Sequence, residues 1–279
     1  MKNVLIALLL ALLALPLTGQ VRGKCGSVKL YSRQEKAKLT SRRMRLHSNA
    51  RLFIGRPYVS GVLEKEPEQL VVEPDSVDCL TFVEYALALT FAEEEYDPEY
   101  SFKEILQQIR YRDGEIDDYA SRLHYTLDWK FENSEYNRLT DITAQCSGAV
   151  QTKKTINFMS THTTAYKQLS KNPQFIDKIR AIEEVLSQTS FHYIPAEAIG
   201  LRPSAILPGD IVLFTTTISG LDIAHLGIVT TDEKGDFTFI HASSDAKKVI
   251  VNPEPLSTYC EKMKRVSGII VLRINEAAY

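Results

Sequence analysis

The chain has 279 residues, 44% of them hydrophobic, and sets 33 lysines and arginines against 35 aspartates and glutamates. That is apolar chain enough for one large globular core. The near-neutral balance, with no basic block interleaved with aromatics, excludes nucleic-acid binding as a working class.

Met1-Lys2, the apolar run from Val4 to Leu15 and the Pro16-Leu17-Thr18-Gly19 segment have the charged, apolar and small-residue regions of a secretory signal. Removal is expected near residue 23, leaving 24–279 as a single domain. The apolar run is shorter than the ~20 residues needed to span a bilayer, so no stable membrane anchor is expected once the signal is gone. Arg22-Gly23-Lys24 lacks the small apolar pattern that precedes a lipid-modified cysteine, so Cys25 does not suggest a lipoprotein. The sequence reads as a soluble exported protein.

Ser32-Arg33-Gln34-Glu35 has the form of a capping box and opens a helical stretch to about Phe53. Ile54-Gly55-Arg56-Pro57-Tyr58-Val59-Ser60-Gly61 breaks that pattern and reads as a shaped loop presenting Tyr58; an ordinary surface or core tyrosine is the alternative. A further helix is predicted to open at Cys79, with Phe82, Val83, Ala86, Leu87 and Phe91 at helical spacing and Asp75, Ser76 or Asp78 as its cap. In the first turn of a helix the free backbone N–H groups and the dipole favour a thiolate, the nucleophilic form of cysteine. A small buried hydrophobe is the other reading of Cys79.

The segment at about 93–205 reads as a large helical insertion. Ser101-Phe102-Lys103-Glu104 is a capping box with Gly114 as a C-terminal stop. A second helix is predicted from Gln174 to Ser187, where Phe175, Ile176, Ile179, Ile182, Val185 and Leu186 form one apolar stripe. Between them, residues 121–129 gather His124, Tyr125 and the only tryptophan, Trp129, a mixture that suits either a sugar- or peptide-binding wall or a structural aromatic cluster.

The last third changes to strands: 210–214, 224–230, 237–242, 249–251 and 266–274, a five-stranded sheet. The fold class is therefore α+β, with helices before an antiparallel sheet. Asp232-Glu233-Lys234-Gly235-Asp236 is a turn sequence. A hairpin symmetric about Glu233 places His225 directly opposite His241 on one face, with Gly227 leaving space beside them.

Cys79, His225 and His241 then supply a nucleophile, a base and a group that orients the base. A satisfied core pair is the plain reading of the two histidines, and three zinc ligands plus water is the other chemical one, although the usual close ligand spacing is missing. The four cysteines show no C-x-x-C pair and no framework, so no required disulfide is predicted.

In this order, Gly55-Arg56-Pro57-Tyr58, Asp78-Cys79 with Phe82-Val83, Pro208-Gly209-Asp210-Ile211-Val212-Leu213-Phe214, His225-Leu226-Gly227-Ile228 and Ile240-His241-Ala242 resemble the NlpC/P60 cysteine peptidase superfamily. Arg110-Tyr111-Arg112-Asp113-Gly114, Ser121-Arg122-Leu123-His124-Tyr125 and Gly220-Leu221-Asp222 are similar to its DUF1460 branch, the N-acetylmuramoyl-L-alanine amidase-like proteins. The resemblance covers essentially the whole mature chain. It implies a papain-like core in which a cysteine-bearing helix packs on an antiparallel sheet. It also implies Cys79 as nucleophile, His225 as base, His241 as third polar residue, Tyr58 over the reaction centre and Asp78 contacting the substrate's peptide, with Asp222 as a further substrate-side residue.

Many superfamily members have serine and glycine after the cysteine. Leu80-Thr81 stands here and suits the amidase-like branch. The implied reaction is hydrolysis of the amide joining N-acetylmuramic acid to L-alanine on muropeptides, including anhydro forms, without a cofactor, by an enzyme working in a bacterial periplasm or outside the cell. His124 and Trp129 are the expected saccharide-side residues. The alternatives are a γ-D-glutamyl-diamino acid endopeptidase and a non-catalytic muropeptide-binding protein.

Overall fold

A computed structural model describes residues 41–276. The signal segment, Cys25 and the Ser32–Glu35 box lie outside the described residues. Among those described, the helices are α1 (Arg42–Arg51), α2 (Cys79–Ala92), α3 (Pro98–Arg110), α4 (Thr126–Glu135), α5 (Phe158–Thr161), α6 (Lys167–Lys171), α7 (Pro173–Gln188) and α8 (Leu256–Lys262). The strands are β1 (Leu139–Asp141), β2 (Val150–Thr152), β3 (Phe191–Pro195), β4 (Ile211–Thr216), β5 (Ile223–Thr231), β6 (Phe237–Ser243), β7 (Lys248–Val251) and β8 (Val266–Ile274). They form one sheet in the order β2-β3-β8-β4-β5-β6-β7, with β1 also on β8, and every pairing is antiparallel.

The α+β reading stands, and the five strands read from the sequence are β4 to β8. The insertion is not purely helical: it adds β1, β2 and β3 to the sheet. Two of these are three residues long, too short for alternation to show, and the third ends in a proline, which only an edge or strand end tolerates. Gly268 makes the junction of β3 with β8 possible, since a Cβ there would lie 2.1 Å from the Ile194 carbonyl oxygen.

Strands β4, β5 and β8 are buried on both faces. Along β4, Ile211 and Leu213 face the helical layer, while Val212 and Phe214 face α8. A run buried on both sides has no polar face, which is why 210–214 reads as continuous apolar sequence. Helix α2 is the centre of the other layer. Every residue from Thr81 to Ala92 is buried, and its apolar side chains surround the whole helix rather than forming a stripe. Phe53, at the end of the first helical segment, stacks on Tyr85 at 6.3 Å and meets Phe82 edge-on at 5.8 Å.

Both ends of α3 differ from the sequence reading, and Ser41, read within one helical stretch, is a cap. Within the described residues α1 starts at Arg42, capped by Ser41, whose side chain accepts from the Met44 N–H. Helix α3 starts one turn before the predicted box, because Asp97 caps Tyr100 and Pro98 occupies the first turn, a stronger start signal than Ser101. It ends at Arg110; Gly114 belongs to the following tight turn, with φ +71°. Helix α7 runs as predicted, but Val185 faces solvent and Glu183 is buried instead.

Candidate active site

Asp78 is the cap that sets Cys79 at the first helical position of α2. Its Oδ1 accepts from the Thr81 N–H at 2.9 Å, and the Asp78 N–H donates to the Thr81 hydroxyl at 2.9 Å, closing a reciprocal capping box. The loop before it holds Tyr58. The Tyr58 N–H donates to the Lys247 carbonyl at 2.9 Å, and Val77 and Val59 bond across, so the tyrosine is registered against the residue two before Cys79.

The histidines arrive on the hairpin of β5 and β6. The observed register pairs Ile228 with Ile240 and Thr231 with Phe237, so it is centred on Lys234 and not on Glu233. The turn accounts for the difference: the Asp232 N–H donates to the Asp236 carbonyl, and Gly235 takes a positive φ of 80°. His225 and His241 are therefore diagonal rather than opposite. Because the shift is two residues, they still share a face.

Gly227 is required in this register. A Cβ at 227 would lie 2.6 Å from the Ile240 carbonyl oxygen and 3.2 Å from the His241 Cβ. A bulge between Phe214 and Thr215 on the other side of β5 turns His225 relative to the strand. His225 Nε2 lies 2.7 Å from His241 Nδ1. Phe214 stacks on the His225 ring, Phe239 lies against His241 at 4.6 Å, and Tyr259 of α8 closes the cradle.

The sulfur of Cys79 joins these parts. Ladder pairing of β5 with β6 stops at Ile228, and the backbone N–H groups of Leu226, Cys79 and Leu80 act on the thiol, opposing the rise that burial causes. The thiol is thereby placed near Leu226, the chain neighbour of His225, whose Nε2 is engaged by His241 and whose Nδ1 is left over. A proton taken at Nδ1 is compatible with Nε2–H donating to His241.

The electrostatics differ from the expectation of a helix-stabilised thiolate. Burial, reinforced by the Asp78 charge, pushes the Cys79 thiol up to about 12, and the three N–H groups only partly offset this. Burial pulls His225 down to about 3, helped by His241 and Arg265, and His241 down to about 4. These shifts favour a neutral thiol and neutral imidazoles. Burial raises the Tyr58 phenol too, with the neighbouring Cys79 and Asp78 adding to it and Arg265 opposing.

These shifts have a signed consequence for stability. The unfolded histidines take protons near pH 6.5 and the folded ones only near 3 to 4, so the folded state holds fewer protons in that window. Their contribution is complete above about pH 6.5 and is lost as pH falls through it. Asp222, raised to about 6 by burial, acts in the opposite sense over most of the same window. Urea midpoints of the native protein and of the His225→Gln, His241→Gln double variant, measured from pH 7.5 to 4, are expected to converge as pH falls. Parallel curves would contradict the neutral pair.

The other sequence candidates are placed differently. Trp129 is 0% exposed within the main core, so its ring is closed to any ligand. It is the aromatic of a packed cluster, and a tryptophan's sequence context does not separate these two uses. His124 lies against Tyr119 at 4.2 Å, with Nε2 2.7 Å from the Tyr119 carbonyl, on the wall of a small cleft shared with Asp78 and Leu80. Asp222 is buried and accepts from the Leu127 N–H at 2.7 Å, serving the start of α4. Tyr58, Asp78, Cys79, His225 and His241 are brought together; Trp129 and Asp222 are not part of that group.

Tyr259 and Arg265 were not singled out from sequence. The phenol sits on a short helix without a motif, and the arginine is one of several basic residues before β8. Among the described residues, no group of three or more His, Cys, Asp or Glu side chains is arranged to hold a metal ion. Cys79, Cys146 and Cys260 are free thiols.

Residues 48–269 match the family described as AmiA-like, N-acetylmuramoyl-L-alanine amidase-like. The chain belongs to this family. Among solved structures, an N-acetylmuramoyl-L-alanine amidase from Bacteroides uniformis is 39% identical, with a TM-score of 0.80, over 84% of this chain and 99% of that one. A Bacteroides fragilis protein carrying a xylanase name is also 39% identical, with a TM-score of 0.78, over 81% of this chain and 100% of that one. A Legionella pneumophila protein placed in DUF1460 shares the fold, at 23% identity and a TM-score of 0.64, over 86% of this chain and 91% of that one. No curated protein matches. Membership of the AmiA-like family supports a cell-wall amidase acting on peptidoglycan. The glycosidase name finds no counterpart at Cys79, since glycoside hydrolysis uses two carboxyl groups facing across the bond, and here a thiol, two imidazoles and a phenol converge.

Proposed function

We propose that the protein is an exported cysteine amidase of the NlpC/P60 type that hydrolyses the amide between N-acetylmuramic acid, free or in its anhydro form, and L-alanine. The observation that carries this reading is Cys79 at a capped helix start, acted on by the N–H of Leu226 next to the bonded His225–His241 pair, within a chain of the AmiA-like family.

In the first step the Cys79 sulfur attacks the lactyl carbonyl carbon while the thiol proton passes to His225 Nδ1. Burial disfavours both the thiolate and the imidazolium, so the proton moves together with the attack. The N–H groups of Cys79 and Leu80, together with the Tyr58 hydroxyl, receive the developing oxyanion. His225 returns the proton to the alanine nitrogen as the carbon–nitrogen bond breaks. A thioester to the lactyl carbon remains. Water then attacks it, giving its proton to His225, and the released sulfur takes that proton back. The products are the sugar with a free lactyl carboxyl group and the peptide with a free L-alanine amine. His241 holds the His225 ring through the 2.7 Å bond.

The cleft bearing His124, Glu64, Arg110 and Arg122 adjoins the nucleophile and is the proposed saccharide side, while Asp78, where this cleft meets Cys79, keeps its role of contacting the start of the peptide. Trp129 is closed in the core and makes no ligand contact. Asp222 is tied to the start of α4 through the Leu127 N–H and does not line this cleft. Mass spectrometry of defined muropeptides, with and without the anhydro sugar, tests the bond assignment. Sugar plus intact stem peptide is the expected pair of products. A cut after D-glutamate would establish the endopeptidase instead, and binding without turnover would establish the binding protein.

A further inference from the structure

On the histidine side of the reaction centre lies a second cleft, of about 330 Å³, whose walls include His225, His241, Ser243, Asp245, Tyr259 and Arg265. Arg265 differs from the other charged groups around it. Lys262, on the same wall, is paired with Glu254, which also lines the cleft. The Arg265 guanidinium is exposed and has no carboxylate within ion-pair distance among the described residues, although Asp245 stands on the same cleft.

Its backbone, by contrast, is fixed. The Arg265 carbonyl accepts from the Thr217 N–H at 3.0 Å and from the Thr216 hydroxyl at 2.8 Å, immediately before β8 begins. The positive charge acts on Tyr58, His225 and Tyr259, so it is close to the groups that would hold a reacting substrate. A fixed backbone, a free planar cation and an opening onto the reaction centre form a receptor for one anionic group of the substrate.

We infer that Arg265 is a specificity residue that binds a carboxylate carried by the peptide part of the substrate. This rests on the muropeptide reading. Once the lactyl carboxyl group is tied up in the amide, the sugar is neutral and carboxylates remain only in the peptide. A site that attracts an anion therefore reads the peptide and distinguishes a charged stem from an amidated one.

The test compares N-acetylmuramoyl-L-alanyl-D-glutamate with the same compound carrying both carboxyl groups as amides. The native protein is expected to favour the anionic compound by about tenfold in kcat/KM, chiefly through KM and less at high salt, as for one partly exposed charge-assisted contact. Arg265→Ala is expected to abolish the preference and Arg265→Lys to keep part of it. Arg180→Ala, on the surface of α7, should leave it intact. Equal use of both compounds by the native protein would overturn the inference, as would an equal fall on both in Arg265→Ala confined to kcat.

Titration of the two compounds into Cys79→Ala protein separates this result from the wider reading. Tighter binding of the anion, lost on adding Arg265→Ala, keeps the inference even if native protein cleaves neither compound. Cleavage or binding without discrimination removes the inference alone.

Discussion

Replacing Cys79 with alanine is expected to lower kcat on a muropeptide by about a thousandfold or more, because the acyl-transfer route disappears and only binding and oxyanion contacts remain. His225→Ala should lose a comparable amount, since the buried thiol has no other acceptor for its proton. The double variant should be no worse than either single one, as for groups that act as a unit. Rates from a sensitive product assay, with folding checked by near-UV circular dichroism, decide this. A well-folded Cys79→Ala protein within about tenfold of the native rate would contradict the nucleophile assignment.

The second large effect is on stability and concerns the helix that carries Cys79. Glu84, five residues on from the nucleophile, is 0% exposed, and its Oε2 accepts from Arg110 Nε at 2.8 Å. Arg110 also donates to the Val71 carbonyl at 2.6 Å and lies over the Tyr85 ring, so one guanidinium ties α2 to α3 and to the segment between the Tyr58 loop and α2. Burial raises the Glu84 carboxyl while Arg110 opposes the rise, and Arg110 itself remains charged.

Arg110→Met leaves a buried carboxylate without its cation and is expected to cost about 3–5 kcal/mol. Glu84→Gln leaves the cation unbalanced and should cost a similar amount. Both changes together should cost less than the sum, because no lone charge is left. Urea denaturation of the three variants reads these values. A loss below about 1 kcal/mol for Arg110→Met would mean that the pair does not anchor α2.

The elements legible in the sequence were those with local signals. A cap at Asp75, Ser76 or Asp78 announces the start of α2, and the apolar run of α2 announces its burial; the long strands β4, β5, β6 and β8 were equally clear. The pairing of His225 with His241 followed from face parity, which survives a two-residue shift of register; their exact alignment did not, because Gly235 and the Asp232–Asp236 bond set the turn.

What escaped is non-local. Strands β1 and β2 have too few residues for a period, and β3 joins the sheet only where Gly268 admits it. The raised thiol depends on what packs around Cys79, and the helix start alone suggests the reverse. Trp129 looked available for a sugar because its neighbours His124 and Tyr125 are polar aromatics, yet tertiary packing covers it completely.

The most direct measurement of the central claim is the intact mass of native protein quenched in acid during turnover of a defined muropeptide, followed by peptide mapping. The account predicts a thioester adduct of the mass of the muramoyl acyl group on Cys79, absent from Cys79→Ala and discharged when turnover is allowed to finish. Turnover that releases the sugar from L-alanine with no adduct at Cys79, and with activity retained by Cys79→Ala, would contradict it.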